Sequence, residues 1–247
     1  MRVLAFLAVA AALNVHAQAE PRTYAILSLL GDRMTLVVHV PTAGTNMGSE
    51  RRSVITLTTP VLDHATILAA ESGVKSVLPG AQPVLLVVRD PAIYEAQSSV
   101  SDPDVSAASL MPTLAPILAG AHVTHALVFT KVRHEAQIAL RHSVTGSGRL
   151  EGLGFYVDNN RALEMPETGE RFAGMVAPYA YFRISLVEVA SGRVIAERPV
   201  YGATAIAAHS AVSPWEELTP EQKVDALRSL LKREIAKAVP PLLSGAP

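Results

Sequence analysis

Along this chain, stretches where apolar and polar residues alternate give way to stretches where apolar residues recur every three or four positions, which separates strands from helices. Residues 23–30 and 34–40 are rich in β-branched and aliphatic side chains. Gly31-Asp32 between them suits a tight primed turn, so the pattern predicts a hairpin. In its second arm Met34, Leu36, Val38 and Val40 alternate with Thr35, Val37 and His39, which turns His39 outward. Residues 41–53 read as a polar, glycine-bearing loop and residues 54–58 as a third short strand. From 61 to 77 the spacing becomes helical, with Leu62, Ile67, Leu68, Val74 and Val77 on one face and Pro79-Gly80 as the stop. The unbroken apolar run 84–88 predicts a strand covered on both faces. A helical turn at Ile93-Tyr94, a Ser/Asp/Pro stretch over 98–106, a helix over 110–121 and a central strand over 125–130 follow.

The second half is β-rich. Strands are predicted over 136–144, 149–157, 178–189 and 194–201, with turns at Gly146-Ser147-Gly148 and Ser191-Gly192; the last two strands form the clearest hairpin in the chain. Thr219-Pro220-Glu221-Gln222 is a capping box with proline at the first helical position, where its missing donor does no harm. Val224, Leu227, Leu230, Leu231, Ile235, Val239 and Leu242 continue at three and four spacing as an amphipathic helix, though Pro240-Pro241 should end regular helix near Val239. Acidic residues crowd its start and basic ones its later turns, matching the helix dipole. The fold class is α/β (α+β): a mixed β-sheet with helices packed mainly on one face, antiparallel hairpins in the second half and a C-terminal amphipathic helix. No internal repeat or linker tract divides residues 20–247, which read as a single α/β domain.

The helix–strand–helix order leading into Thr124-His125-Ala126-Leu127-Val128-Phe129, followed by the hairpin around Leu186-Val187-Glu188-Val189-Ala190-Ser191-Gly192-Arg193-Val194-Ile195, resembles small α/β domains of bacterial envelope proteins such as the TolB N-terminal domain. The likeness is topological, covers roughly residues 61–200, and implies a protein-binding or assembly module. The propeller that accompanies that domain is missing, as is a lipid-anchoring cysteine.

Composition adds an address. Met1-Arg2, an apolar run over 3–15 and small residues at Val15, Ala17 and Ala19 have the form of a cleavable signal peptide, residues 1–19, too short for the roughly 20 apolar residues of a membrane span. Periplasmic or secreted localisation is expected. The chain has no cysteine, which removes disulfides and thiolate metal sites. Without Arg2, 20 basic residues face 22 acidic ones, so the basic footprint of a nucleic-acid binder is absent.

Familiar catalytic motifs fail on inspection. No phosphate-loop pattern occurs, and Gly146, Gly148, Gly152 and Gly154 lack the third glycine of a dinucleotide loop, because Glu151 stands there. They suit a turn and a close strand crossing instead. Ser147 lies in Thr145-Gly146-Ser147-Gly148 between strands, outside the frame of a hydrolase elbow. His134-Glu135 fails as a zincin motif because position 138 is Ile138; His122 and His125 are better read as a helix end and a strand start. Neither a cofactor nor a metal is expected.

Residues 158–174 interrupt two strands with about seventeen residues where hairpins use roughly two to five, and segments of that length are usually functional or disordered. Asn159, Asn160, Arg161 and Arg171 offer donors to a polar ligand or partner, with Tyr179 on the adjacent strand. A second candidate is the C-terminal edge of the parallel strands, marked by Asp90 and by Thr130-Lys131. The expected function is an exported soluble, non-enzymatic binding or assembly module of the bacterial cell envelope, with an envelope protein or other periplasmic component as partner. The alternative is a secreted hydrolase whose His/Asp/Ser or metal site assembles only in space.

Overall fold

The structure is a computed structural model that describes residues 22–31, 33–40, 49–57, 59–140, 142–160, 163–164, 171–172, 174–208 and 213–245. The signal-like residues 1–19 lie outside the described residues. In chain order β1 (Tyr24–Ser28), β2 (Arg33–Val40) and β3 (Ser49–Thr56) precede α1 (Val61–Val77), β4 (Val84–Leu86), the short α2 (Pro91–Ala96) and α3 (Met111–Gly120). Next come β5 (His125–Lys131), β6 (Arg133–Glu135), β7 (Ile138–Ala139), β8 (Val144–Thr145), β9 (Arg149–Asp158), β10 (Leu163–Glu164) and β11 (Arg171–Phe172). Finally β12 (Gly174–Glu188), β13 (Arg193–Ala203) and β14 (Ile206–Ala208) lead to α4 (Pro220–Ser244).

The main sheet hangs on β12, which is buried along nearly its whole length. Along one edge β13 and β14 pair antiparallel with it. Along the other, β9 pairs with Met175 to Tyr181 and β5 with Phe182 to Glu188, so β9 and β5 lie end to end. The change of partner falls between adjacent residues: Tyr181 faces Gly152 and Phe182 faces Lys131. The next column repeats the division, with β1 parallel to β5 and β2 parallel to β9; β4 then flanks β1 and β3 flanks β2.

This layout corrects the predicted hairpin at Gly31-Asp32. β1 and β2 point the same way in one line and never pair, because β1 is buried at every position and takes a parallel strand on each side. Gly31, at φ +80°, provides a kink that offsets the chain from one column to the other. A glycine between two β-runs serves either geometry, and the local pattern cannot choose.

The expected mixed sheet with its long helices on one face is present. α1 and α4 lie together over Ile26, Phe129, Phe155, Phe182 and Ile184. Leu114 and Leu118 of α3 cover Ala25, Leu27 and Val128 on the opposite face, and farther along that face Tyr156, Tyr179 and Tyr181 pack with Val132 and Ile138. The Ser191-Gly192 hairpin forms as predicted, with Glu188 opposite Arg193. Four further expectations change. Residues 49–53, read as loop, belong to β3. The run 84–88 forms only the three-residue β4 at the sheet edge. Residues 136–144 make the small β7–β8 ladder instead of one strand. α4 continues through Pro240 and Pro241, because Leu242 and Leu243 are buried against the core and outweigh the two lost backbone donors.

Candidate functional site

β1 is the middle strand of a parallel trio, β4–β1–β5. The connection into β4 runs through α1 on one face, and the connection out of β4 runs through α2 and α3 on the other. Adjacent strands whose connections leave to opposite faces open a crevice at their C-terminal ends. A cavity of about 380 Å³ lies there. Gly31 and Val88 line it from the strand ends, Pro60 and Asp63 from α1, and Tyr94 and Glu95 from α2. Arg33, Arg89 and Lys131 also line it.

Asp63 holds this corner together. Its carboxylate accepts from Ser28 Oγ at 2.5 Å, from the Gly31 amide at 3.0 Å and from the Tyr94 hydroxyl at 2.8 Å. One side chain therefore ties α1 to the β1–β2 kink and to α2. Burial pushes the Asp63 carboxyl above its ordinary value, opposed by those same hydrogen bonds. Gln97 acts similarly from the other side, its amide contacting the Leu29 carbonyl and accepting from the Lys131 amide.

The residues singled out in segment 158–174 separate. Asn159 and Asn160 follow β9; the Asn160 amide donates to the Asp158 carboxylate, while Asn159 Oδ1 is buried with no hydrogen-bond partner among the described residues. Arg161 lies outside the described residues. Arg171 is in β11, whose backbone pairs with β10, so the described part of this segment is a small ladder rather than featureless loop. Tyr179 is fully buried, and its hydroxyl donates to the Thr35 carbonyl. It passes Gly154, where a Cβ would stand 2.6 Å from that hydroxyl, which explains the glycine at this strand crossing. Tyr179 is thus a core side chain and leaves the set of surface contacts.

The histidines also scatter. His122 ends α3 at φ 52°, His125 sits beside the Tyr24 ring with its pKa lowered by burial, and His134 stacks on Tyr201 at 4.3 Å. Among the described residues, no group of three or more His, Asp or Glu could hold a metal ion. His39 behaves otherwise. Its Nδ1 is 2.9 Å from Ser147 Oγ, which is 3.2 Å from the Tyr156 hydroxyl. Glu50 and Asp158 are its cross-strand neighbours in β3 and β9. Sequence reasoning missed this cluster because it depends on the pairing of β2 with β3 and with the distant β9, which no local pattern specifies. The available signal was Ser147 between Gly146 and Gly148, both at positive φ.

The edge strand β4 is the third feature. Val84 and Leu85 are each 39% exposed on a strand whose outer backbone edge has no partner among the described residues, and Val87, just after it, is 48% exposed.

No family model matches the chain. No curated protein matches it either. Among solved structures it is similar to protein XCC0632 from Xanthomonas campestris, of the DUF330 family, with 11% identity and a TM-score of 0.40 over 92% of this chain and 90% of that one. A likeness at that level carries neither fold nor function.

Proposed function

We propose that the protein is an exported, non-enzymatic binding or assembly module of the bacterial cell envelope, and that it takes an extended apolar segment of an envelope protein along β4. The observation that carries the reading is the mismatch between β4 and its place. A run of five aliphatic residues has the composition of an interior strand, yet it forms the sheet edge and leaves Val84, Leu85 and Val87 in solvent. A strand added there would satisfy the outer backbone groups and cover alternate side chains on both faces. The signal-like residues 1–19 and the topological likeness to TolB-type envelope domains support the same setting.

The test is site-specific photo-crosslinking in cells, with the reactive group at Leu85 and, as control, at Val144, which is 66% exposed on β8. The expected result is a discrete envelope-protein adduct at Leu85 only, weakened by Val87→Lys. Equal labelling from both positions would sink the reading.

One observation favours a second reading, a hydrolase. The Ser147–His39 contact would let Ser147 Oγ attack an ester carbonyl as His39 accepts its proton and returns it to the leaving alcohol; water would then release the acid from the acyl-serine. Fluorophosphonate labelling of the folded protein decides it: adduct at Ser147, lost in Ser147→Ala and in His39→Ala, supports the hydrolase, and an unmodified Ser147 removes it.

A further inference from the structure

We propose that the crevice between the C-terminal ends of β1 and β4 is a binding site for a small molecule carrying an oxyanion, a carboxylate or phosphate group, gripped by Arg33 and Arg89. This site is separate from the outer edge of β4 and does not depend on the protein-binding reading.

Four observations converge on it. The crevice lies where the helical connections on either side of β4 leave to opposite faces, the position at which open α/β sheets hold ligands. Its volume, about 380 Å³, falls within the range of roughly 300–1,000 Å³ typical of small-molecule sites. Two guanidinium groups line it, one at the first residue of β2 and one just after β4, and Glu95 is the one solvent-facing carboxylate among the described lining residues. Finally, those arginines are uncommitted. Arg52, Arg133, Arg149, Arg193, Arg228 and Arg233 each form an ion pair, whereas Arg33 and Arg89 form none among the described residues.

Asp63 does not occupy the two arginines. Its carboxylate also lines the crevice, but both its oxygens are taken by Ser28, Gly31 and Tyr94. No cation figures among the causes of its perturbation, so it fixes the β1–β2 kink that presents Arg33 without pairing with the arginines. Planar guanidinium groups bind carboxylate and phosphate in two-pronged fashion, and two of them around one concavity select an oxyanion over a halide of equal charge.

The experiment titrates the purified mature chain with inorganic phosphate and, separately, citrate, each against sodium chloride of matched ionic strength. Backbone NMR shifts and thermal unfolding are the readouts. The expected result is saturable shifts at Gly31, Arg33 and Arg89 and a raised Tm with at least one anion, neither reproduced by chloride. Which anion binds more tightly distinguishes a phosphate site from a carboxylate site. Arg33→Gln with Arg89→Gln should weaken binding at least about tenfold, while Arg198→Gln, at an exposed site outside the crevice, should leave it unchanged. The paired variant must keep the parent's circular dichroism and anion-free Tm for its loss to count. Saturable binding that survives it relocates the anion and overturns the proposal, as does the absence of any shift beyond chloride. Arg33→Lys with Arg89→Lys supplies the folded control if the glutamine pair unfolds: retained charge with weakened binding supports two-pronged recognition, and undiminished binding refutes it.

Discussion

Three donors meet at the Asp63 carboxylate, and replacing it separates its geometry from its charge. Asparagine keeps an acceptor for Ser28 and Gly31, and its amide can donate to the Tyr94 oxygen, whose proton then turns to the Val88 carbonyl 3.2 Å away. Asp63→Asn should therefore fold with a small change in stability, whereas Asp63→Ala strands the buried Gly31 amide and Ser28 hydroxyl and should cost about 2–4 kcal/mol. The pH dependence has a definite sign. Burial raises the folded-state pKa, so the folded protein holds this proton more tightly than the unfolded chain. That stabilisation is fully present below the unfolded value of 3.8 and is lost as pH rises through the higher folded value. Urea unfolding at a series of pH values should show wild type losing ground to Asp63→Asn across that window; a constant gap would mean the carboxylate is not desolvated. Little of this was legible in the sequence. An aspartate in the first turn of a helix reads as a partner for the helix dipole, and only the packing of α1 on β1 and the parallel pairing of β1 with β4 bring Ser28 and Tyr94 to it. His39 and Ser147, 108 positions apart, were hidden for the same reason.

Elements were legible where their determinants are local. The capping box of α4 is present, with the Thr219 hydroxyl accepting from the Gln222 amide at 3.3 Å and Gln222 accepting from the Thr219 amide at 2.8 Å. The β12–β13 hairpin likewise follows from turn chemistry beside two alternating runs. Where two elements compete for one segment, tertiary packing decides. The end of α4 was misjudged because proline chemistry is local, while the burial of Leu242 and Leu243 depends on what α4 packs against. Both ends can be weighed in one experiment. Thr219→Ala removes one cap and should cost about 1 kcal/mol, whereas Leu242→Ala, at a 7% exposed position, should cost about 2–4 kcal/mol. Chemical denaturation of the two variants checks the order. If the cap proved the costlier loss, core packing would not be what carries the helix past its prolines.

At the scale of the molecule, the sheet is two blocks sharing one strand. β1, β4 and β5 join β12 over Phe182 to Glu188, and β2, β3 and β9 join it over Met175 to Tyr181. The mixed α/β class followed from the order of elements, but this division did not, because a fifteen-residue strand with two successive partners on one edge looks in sequence like any long strand. The blocks are unequally protected. The β1–β5 block lies between α1 on one face and α3 on the other. The β2–β9 block has on its second face the short β6 to β8 segments and ends in β3, whose described side chains are mostly exposed. Opening free energies follow burial and contact with stable elements, so native-state hydrogen exchange in low denaturant should show Val37 and Val38 exchanging through a partial opening while Leu127 and Val128 require global unfolding. Ala180 of β12, held by β9 on one side and β13 on the other, should exchange with the β5 amides, since β13 and α4 anchor it after the outer strands open. One common opening energy for all these amides would show that the shared strand makes the two blocks a single cooperative unit. Two energies would identify the β1–β5 block, which carries the exposed β4 edge and most of the crevice lining, as the more stable of the two.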